Sequence, residues 1–142
     1  MELNLIVENQ LGTTKGTAVE AAVTQNYQGE CMEVGWYLAA ARQAQREGFA
    51  EVAEVFKTIA WEEAAHAARF AELNGEVGTT RDNLEKAING EQNSNRTKRE
   101  AAVLAKQNNI DEAHDVFDEA AKDESRHARA LKGIKDRLFM GL

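Results

Sequence analysis

The chain has 142 residues, enough for one domain with a real core, and its 43% hydrophobic and 29% charged residues describe a globular rather than a disordered protein. A formal charge of −7 argues against nucleic acid and anionic membranes as partners, and no stretch reaches transmembrane length. The single cysteine, Cys31, excludes an internal disulfide and fits a reducing cytoplasm, where a soluble protein is expected.

There is no proline, and Ala, Glu, Gln, Lys and Arg dominate, a composition suited to long uninterrupted helices. Residues 1–16 lack periodicity and read as an irregular arm. Thr17 then offers an N-cap, with Glu20 three residues on completing a capping box. A first helix is expected from there to about Glu47, stopped by Gly48. A second runs from about Ala50 to Asn74 and closes at Gly75. Its apolar stripe is Val52, Val55, Phe56, Ile59 and Phe70, with Glu63 and His66 in the same row. After a short link, Thr80 is the expected cap of a third helix, about Arg81 to Gln107, carrying Leu84, Ile88, Glu91, Ala102 and Ala105. Asn108 and Asn109 break it. Asp111 is the expected cap of a fourth, carrying Val116, Phe117, Ala120, Glu124, His127, Leu131 and Ile134.

Glu63-Ala-Ala-His66 and Glu124-Ser-Arg-His127 are both Glu-x-x-His, and residues three apart share a helix face. A carboxylate on an apolar stripe needs its charge compensated, and carboxylate with imidazole suits iron, manganese or zinc. One such pair is usually a surface pair. Here the pair recurs. A shift of 61 residues lays the chain on itself without a gap: Gly29-Glu30 on Gly90-Glu91, Val55-Phe56 on Val116-Phe117, Glu63 and His66 on Glu124 and His127. Domain organisation follows as an arm, 1–16, and a helical domain, 17–142, made of two repeats at about 17–75 and 78–136.

Glu30 and Glu63 each lie roughly 25 Å from the hairpin tip at ~1.5 Å per residue, so they face each other in mid-helix, as do Glu91 and Glu124. A bundle with one Glu from each of two helices and Glu-x-x-His from the other two is the di-metal carboxylate pattern. The repeat breaks at Glu33, which aligns with Ser94. Glu33 lies one turn after Glu30, so the expected di-metal site is asymmetric.

These residues resemble the rubrerythrins of the ferritin-like superfamily over roughly Thr17 to Leu131. The resemblance is carried by Gly29-Glu30-x-x-Glu33, Glu47-Gly48-Phe49, Glu63-x-x-His66, Asn83-Leu84, Gly90-Glu91 and Glu124-x-x-His127. The hairpin with the extra carboxylate comes first, as in the reverse rubrerythrins. The resemblance implies an all-α ferritin-like four-helix bundle holding two iron ions per site, with manganese or zinc as substitutes. It implies that Glu63 and Glu124 bridge the irons, that Glu30 and His66 serve one, that Glu91 serves the other, and that Glu33 and His127 exchange on that other iron with redox state. The implied activity is reduction of hydrogen peroxide to water in oxidative-stress defence; the alternative is ferritin-like iron oxidation and storage. Tyr37, two turns after Glu30, is the expected group orienting the ligands from behind, and its counterpart in the repeat is Lys98. A rubredoxin-type site needs Cys-x-x-Cys pairs, so an external rubredoxin-like donor is expected.

In ferritin-like bundles the second and third helices run parallel. That requires the link to span ~28 Å between helix ends, whereas residues 75–79 stretch to roughly 20 Å. The expectation is a homodimer that swaps hairpins, each site drawing ligands from both chains. His114, among acidic residues at the start of helix four, is expected to be solvated. Cys31 is expected to be a small buried or interfacial thiol. The Arg96 to Arg99 cluster is expected to form a solvated face, with an acidic electron donor as its possible partner.

Overall fold

The computed structural model describes residues 1–140 and contains four α-helices: α1 Glu20–Arg46, α2 Ala50–Leu73, α3 Thr80–Gln107 and α4 Asp111–Phe139. None of them is long and apolar enough to cross a membrane. Among the described residues there is no strand, so the chain is all-α, as expected of a ferritin-like bundle. It divides into two compact units, residues 1–78 with α1 and α2 and a second unit from Thr79 onward with α3 and α4.

In the first unit α1 and α2 form an antiparallel hairpin. Gly48 takes a left-handed conformation (φ 85°), and the N–H of Phe49 turns back to the carbonyl of Ala44 at 2.8 Å, satisfying an acceptor the helix end would otherwise leave open. The helices meet along alanines: Ala41, Ala44, Ala53, Ala60, Ala67 and Ala71 are buried, with Phe56 packed against the cluster of Ala41, Ala44 and Ala53. A methyl side chain lets two backbones approach closely, and a larger one would hold them apart.

The second unit repeats the device. Asn109 (φ 57°) stands where the first hairpin has Gly48, and the N–H of Ile110 donates to the carbonyl of Ala105 at 3.0 Å. Asn reaches this conformation at lower cost than most residues with a Cβ. Ala102, Ala105 and Ala121 form the seam, at positions that the 61-residue shift lays on Ala41, Ala44 and Ala60.

The apolar stripe expected of α2 divides in two. Its flank toward α1 is buried through alanines, whereas Val52 and Val55 are exposed and Ile59 is half-buried. Val116, Phe117 and Ile134 of α4 are exposed likewise. A stripe wide enough to touch two neighbours finds only one within its own hairpin. No large side chain among the described residues is fully buried.

The helix starts also depart from expectation. Thr17 does not cap α1, which begins at Glu20 with no side-chain cap. The Glu20 carboxylate instead accepts the N–H of Gly16 at 2.9 Å, one residue earlier than a capping box would reach. The cap of α3 is Thr79 rather than Thr80; its Oγ1 accepts the N–H of Asp82 at 3.2 Å. Asp111 does not cap α4; it is the first helical residue and pairs with Lys106 at 2.9 Å. The arm is irregular, yet its end is anchored. The N–H groups of Gly12 and Thr14 donate to the carbonyls of Glu72 and Leu73 at 2.8 and 3.1 Å. These are last-turn carbonyls of α2 that have no helical partner. Buried Asn74 donates to Thr24 Oγ1 and accepts from Thr14 Oγ1, which ties the arm, α1 and the end of α2 together.

Candidate metal centre

Within the first hairpin, Glu30 of α1 and Glu63 and His66 of α2 converge, each offering a ligand atom within 4.8 Å of the others. His66 Nδ1 lies 3.3 Å from Glu63 and 3.5 Å from Glu30. The second hairpin builds the same group from Glu91, Glu124 and His127, with His127 Nδ1 3.4 Å from Glu91 and 3.5 Å from Glu124. Each set therefore lies on one hairpin, held by the alanine seam beneath it. The four carboxylates are largely covered, at 15–24% side-chain exposure, while the two imidazoles are about half exposed.

In each group two carboxyl groups crowd one another. Glu63 beside Glu30 raises the Glu30 pKa, and burial adds to the rise; Glu63 itself is lowered, chiefly by the hydrogen bond from Glu30. Glu91 is raised in the same way by Glu124, which is held down at about 2 by the hydrogen bond from Glu91 and by Lys98. Two carboxyl groups this close share a proton unless a cation replaces it. One oxygen in each hairpin, Glu30 Oε2 and Glu91 Oε2, is buried without a hydrogen bond. Buried carboxylate oxygens are normally satisfied. Two orphaned oxygens at matching repeat positions, each beside a second Glu and a His, are a donor set that fits a divalent metal.

A rubrerythrin family model matches residues 22–135. The chain is 48% identical over 136 residues to reverse rubrerythrin-1 of Clostridium acetobutylicum, covering 93% of this chain and 75% of that protein. It is also 56% identical over 140 residues to an uncharacterised protein of Methanocaldococcus jannaschii, covering 98% and 99% of the two.

The chain belongs to the rubrerythrin family.

Membership implies a di-iron site of the ferritin-like class, and the two Glu-Glu-His groups are where this rubrerythrin can hold metal. Its expected ligands are not all equally placed. Glu33 is exposed, but it stands close enough to raise Glu30 and to lower Glu63 by a hydrogen bond. Tyr37 meets rings rather than ligands: its centroid is 5.1 Å from that of Trp36 and 5.9 Å from that of Phe56. Cys31, expected buried or interfacial, is exposed and neighbours Tyr27. His114, expected solvated, is three-quarters covered and sits 2.9 Å from Asp115.

Lys98, which falls in the Arg96 to Arg99 cluster expected to form a solvated face, turns instead into this rubrerythrin's site. Lys98 Nζ lies 2.7 Å from Glu124 Oε1 and donates to Ser94 Oγ at 2.6 Å. The signal was present: Lys98 is the repeat counterpart of Tyr37, and Ser94 and Lys98 are four apart on one helix face. Asn95 was missed too. Its amide crosses from α3 to donate to the Ala121 carbonyl at 2.7 Å, where the first hairpin has Val34.

Proposed function

We propose that this rubrerythrin is a non-haem di-iron peroxidase, reducing hydrogen peroxide to water with electrons from an external rubredoxin-like donor in the cytoplasm. The observation that carries the reading is the matched pair of orphaned carboxylate oxygens, Glu30 Oε2 and Glu91 Oε2, each in a Glu-Glu-His group. Two ferrous ions bound there would together supply the two electrons that cleavage of the O–O bond needs. Glu63 and Glu124, the most anionic members of their groups, are suited to bridge. Glu30 with His66, and Glu91, would complete the two positions. Glu33 and His127 are the pair we assign to redox-linked exchange: a hard carboxylate suits the ferric ion and a neutral imidazole the ferrous one.

We further propose a homodimer in which α1 and α2 of each protomer pack on α3 and α4 of the other, so that each di-iron site takes ligands from both chains. The uncovered apolar residues Trp36, Val52, Val55, Val116 and Phe117 support it, since a stable monomer rarely leaves so many exposed on its helices. Light scattering on the iron-loaded protein should give twice the chain mass; a monomer would sink the swap.

Iron analysis and absorption spectroscopy of anaerobically purified protein test the activity. About two irons per chain and near-ultraviolet absorption of an oxo-bridged ferric pair are expected. The reduced protein should oxidise faster with hydrogen peroxide than with oxygen. Equal or preferential oxidation by oxygen would point instead to iron oxidation of the ferritin kind.

A further inference from the structure

The first hairpin has an apolar flank that its metal group does not use. Leu38 lies five residues from Glu33 and Trp61 five from His66, about 140° around the helix in each case. Along α1, Tyr27, Cys31, Val34, Leu38 and Arg42 follow one another in steps of three and four, and so do Lys57, Trp61, Ala64, Ala68 and Glu72 along α2. Trp61 is 76% and Leu38 43% exposed, and Cys31 and Ala68 are exposed beside them. These side chains do not serve the hairpin itself. The second hairpin forms the same turn and alanine seam with Arg99, Lys122 and Arg129 in place of Leu38, Trp61 and Ala68, and its Asp118 holds Arg99 and Lys122 at 3.4 and 2.7 Å.

Charge is confined to the two ends of this flank. The turn end carries Arg42 and Lys57, the latter bonded to Glu54 at 2.9 Å. The open end carries Glu72, Glu20 two turns before Tyr27, and Glu76 near the Tyr27 ring. Between the ends both rows are uncharged. We infer that this flank pairs with the same flank of a second copy of the chain, about a two-fold axis that lays the turn end of one hairpin on the open end of the other. Such an axis makes the contact self-complementary. Apolar middle meets apolar middle, and the Arg42 end of each copy meets the acidic end of the other. A parallel pairing would set Arg42 against Arg42. The chain's own arm is a poorer cover: residues 1–11 expose Leu3, Leu5, Ile6 and Val7, but their charged side chains, Glu2 and Glu8, would add carboxylates to an acidic end. The contact is separate from the exchange of hairpins, which would cover Trp36, Val52 and Val55.

Cys31 is the only thiol, so its alkylation by iodoacetamide, read by mass spectrometry, reports whether the flank is covered. In the folded protein Cys31 should react slowly, and faster on dilution. Trp61→Lys and Leu38→Arg install what the second hairpin carries at the matching positions, so both should keep their helix content by circular dichroism. Trp61→Lys should weaken pairing by about tenfold or more, the loss expected when a central interface tryptophan is removed, and free Cys31 to react. Trp61→Glu should do the same. When the Lys and Glu variants are co-produced, the mixed pairs should regain protection, because opposite charges then face one another. Cys31 reacting as fast in the unsubstituted protein as in Trp61→Lys would overturn the pairing. So would protection that the mixed variants fail to regain, or protection lost on deleting residues 1–11, which would make the arm the cover.

Discussion

At Leu38 the first hairpin presents an apolar side chain, and at the matching position the second presents Arg99, whose guanidinium reaches Asp118 at 3.4 Å. The same change recurs along that face. Cys31, Val34, Trp61, Ala64 and Ala68 become Gln92, Asn95, Lys122, Ser125 and Arg129. Charge follows suit: residues 1–78 hold 5 of the 17 basic and 12 of the 24 acidic residues, and residues 79–142 hold 12 of each, so the whole net charge of −7 belongs to the first half. What did not change is equally telling. Ala41, Ala44 and Ala60 recur as Ala102, Ala105 and Ala121, a left-handed residue stands at both turns, and both hairpins carry the Glu-Glu-His group. A duplicated hairpin keeps the residues that set the helix–helix distance and the ligands that distance positions, because altering either moves the other. Its remaining faces are free to diverge.

The largest effect expected is on the shared ligands. Glu63→Ala and Glu124→Ala should each lower iron affinity by more than about 100-fold, beyond the roughly 10–100-fold lost with an outer hydrogen-bond partner of a ligand. Metal analysis after gel filtration measures it. Near-normal iron in either variant would break the equivalence of the two groups.

The seam is the next test. Ala41→Leu and Ala102→Leu occupy matching, almost fully buried positions. Each should destabilise by about 1–3 kcal/mol, since an added isobutyl group forces the helices apart. Denaturant unfolding of the metal-free protein should find the two costs alike. A neutral effect at one of them would mean that its hairpin packs less tightly than its twin.

Glycines separate the hairpins further. Gly75 has φ 69°, and an added Cβ would meet the Cα of Gly12 at 3.3 Å. Gly75→Ala should therefore destabilise by about 1–2 kcal/mol, through both the left-handed backbone and the pinned arm. Gly133 lies within α4 with open space around it, so Gly133→Ala should stabilise by about 0.5–1 kcal/mol. Thermal melts read both, with opposite signs.

The smallest effect concerns acid. Lys98 helps to hold Glu124 down at about 2 from its ordinary value of 4.5. A depressed carboxylate contributes stability that is present above the ordinary value and is lost as pH falls through the lowered one. In the metal-free protein, Lys98→Met should therefore be less stable than the parent above about pH 4.5. The difference should shrink as pH falls toward about 2. A gap that stayed constant with pH would show that Lys98 acts through packing alone.

The four helices, their turns at Gly48 and Asn109, and the six ligands Glu30, Glu63, His66, Glu91, Glu124 and His127 were legible in the sequence. Local propensity, the left-handed preference of particular residues and a 61-residue self-match do not depend on what the chain packs against. The first residues of the helices were misplaced at Thr17 and Thr80. Several side chains nearby can accept the same N–H, and only the path of the chain chooses among them. The split of the apolar stripe into an alanine seam and an uncovered flank of Val52 and Val55 was also hidden, because periodicity gives the width of a face but not the number of neighbours it meets. Likewise Lys98 was visible as a mismatch in the repeat, while its grip on Glu124 was not. An ammonium on a long flexible stem has many possible acceptors, and only the folded hairpin, by setting Ser94 and Glu124 on either side of it, decides which it takes.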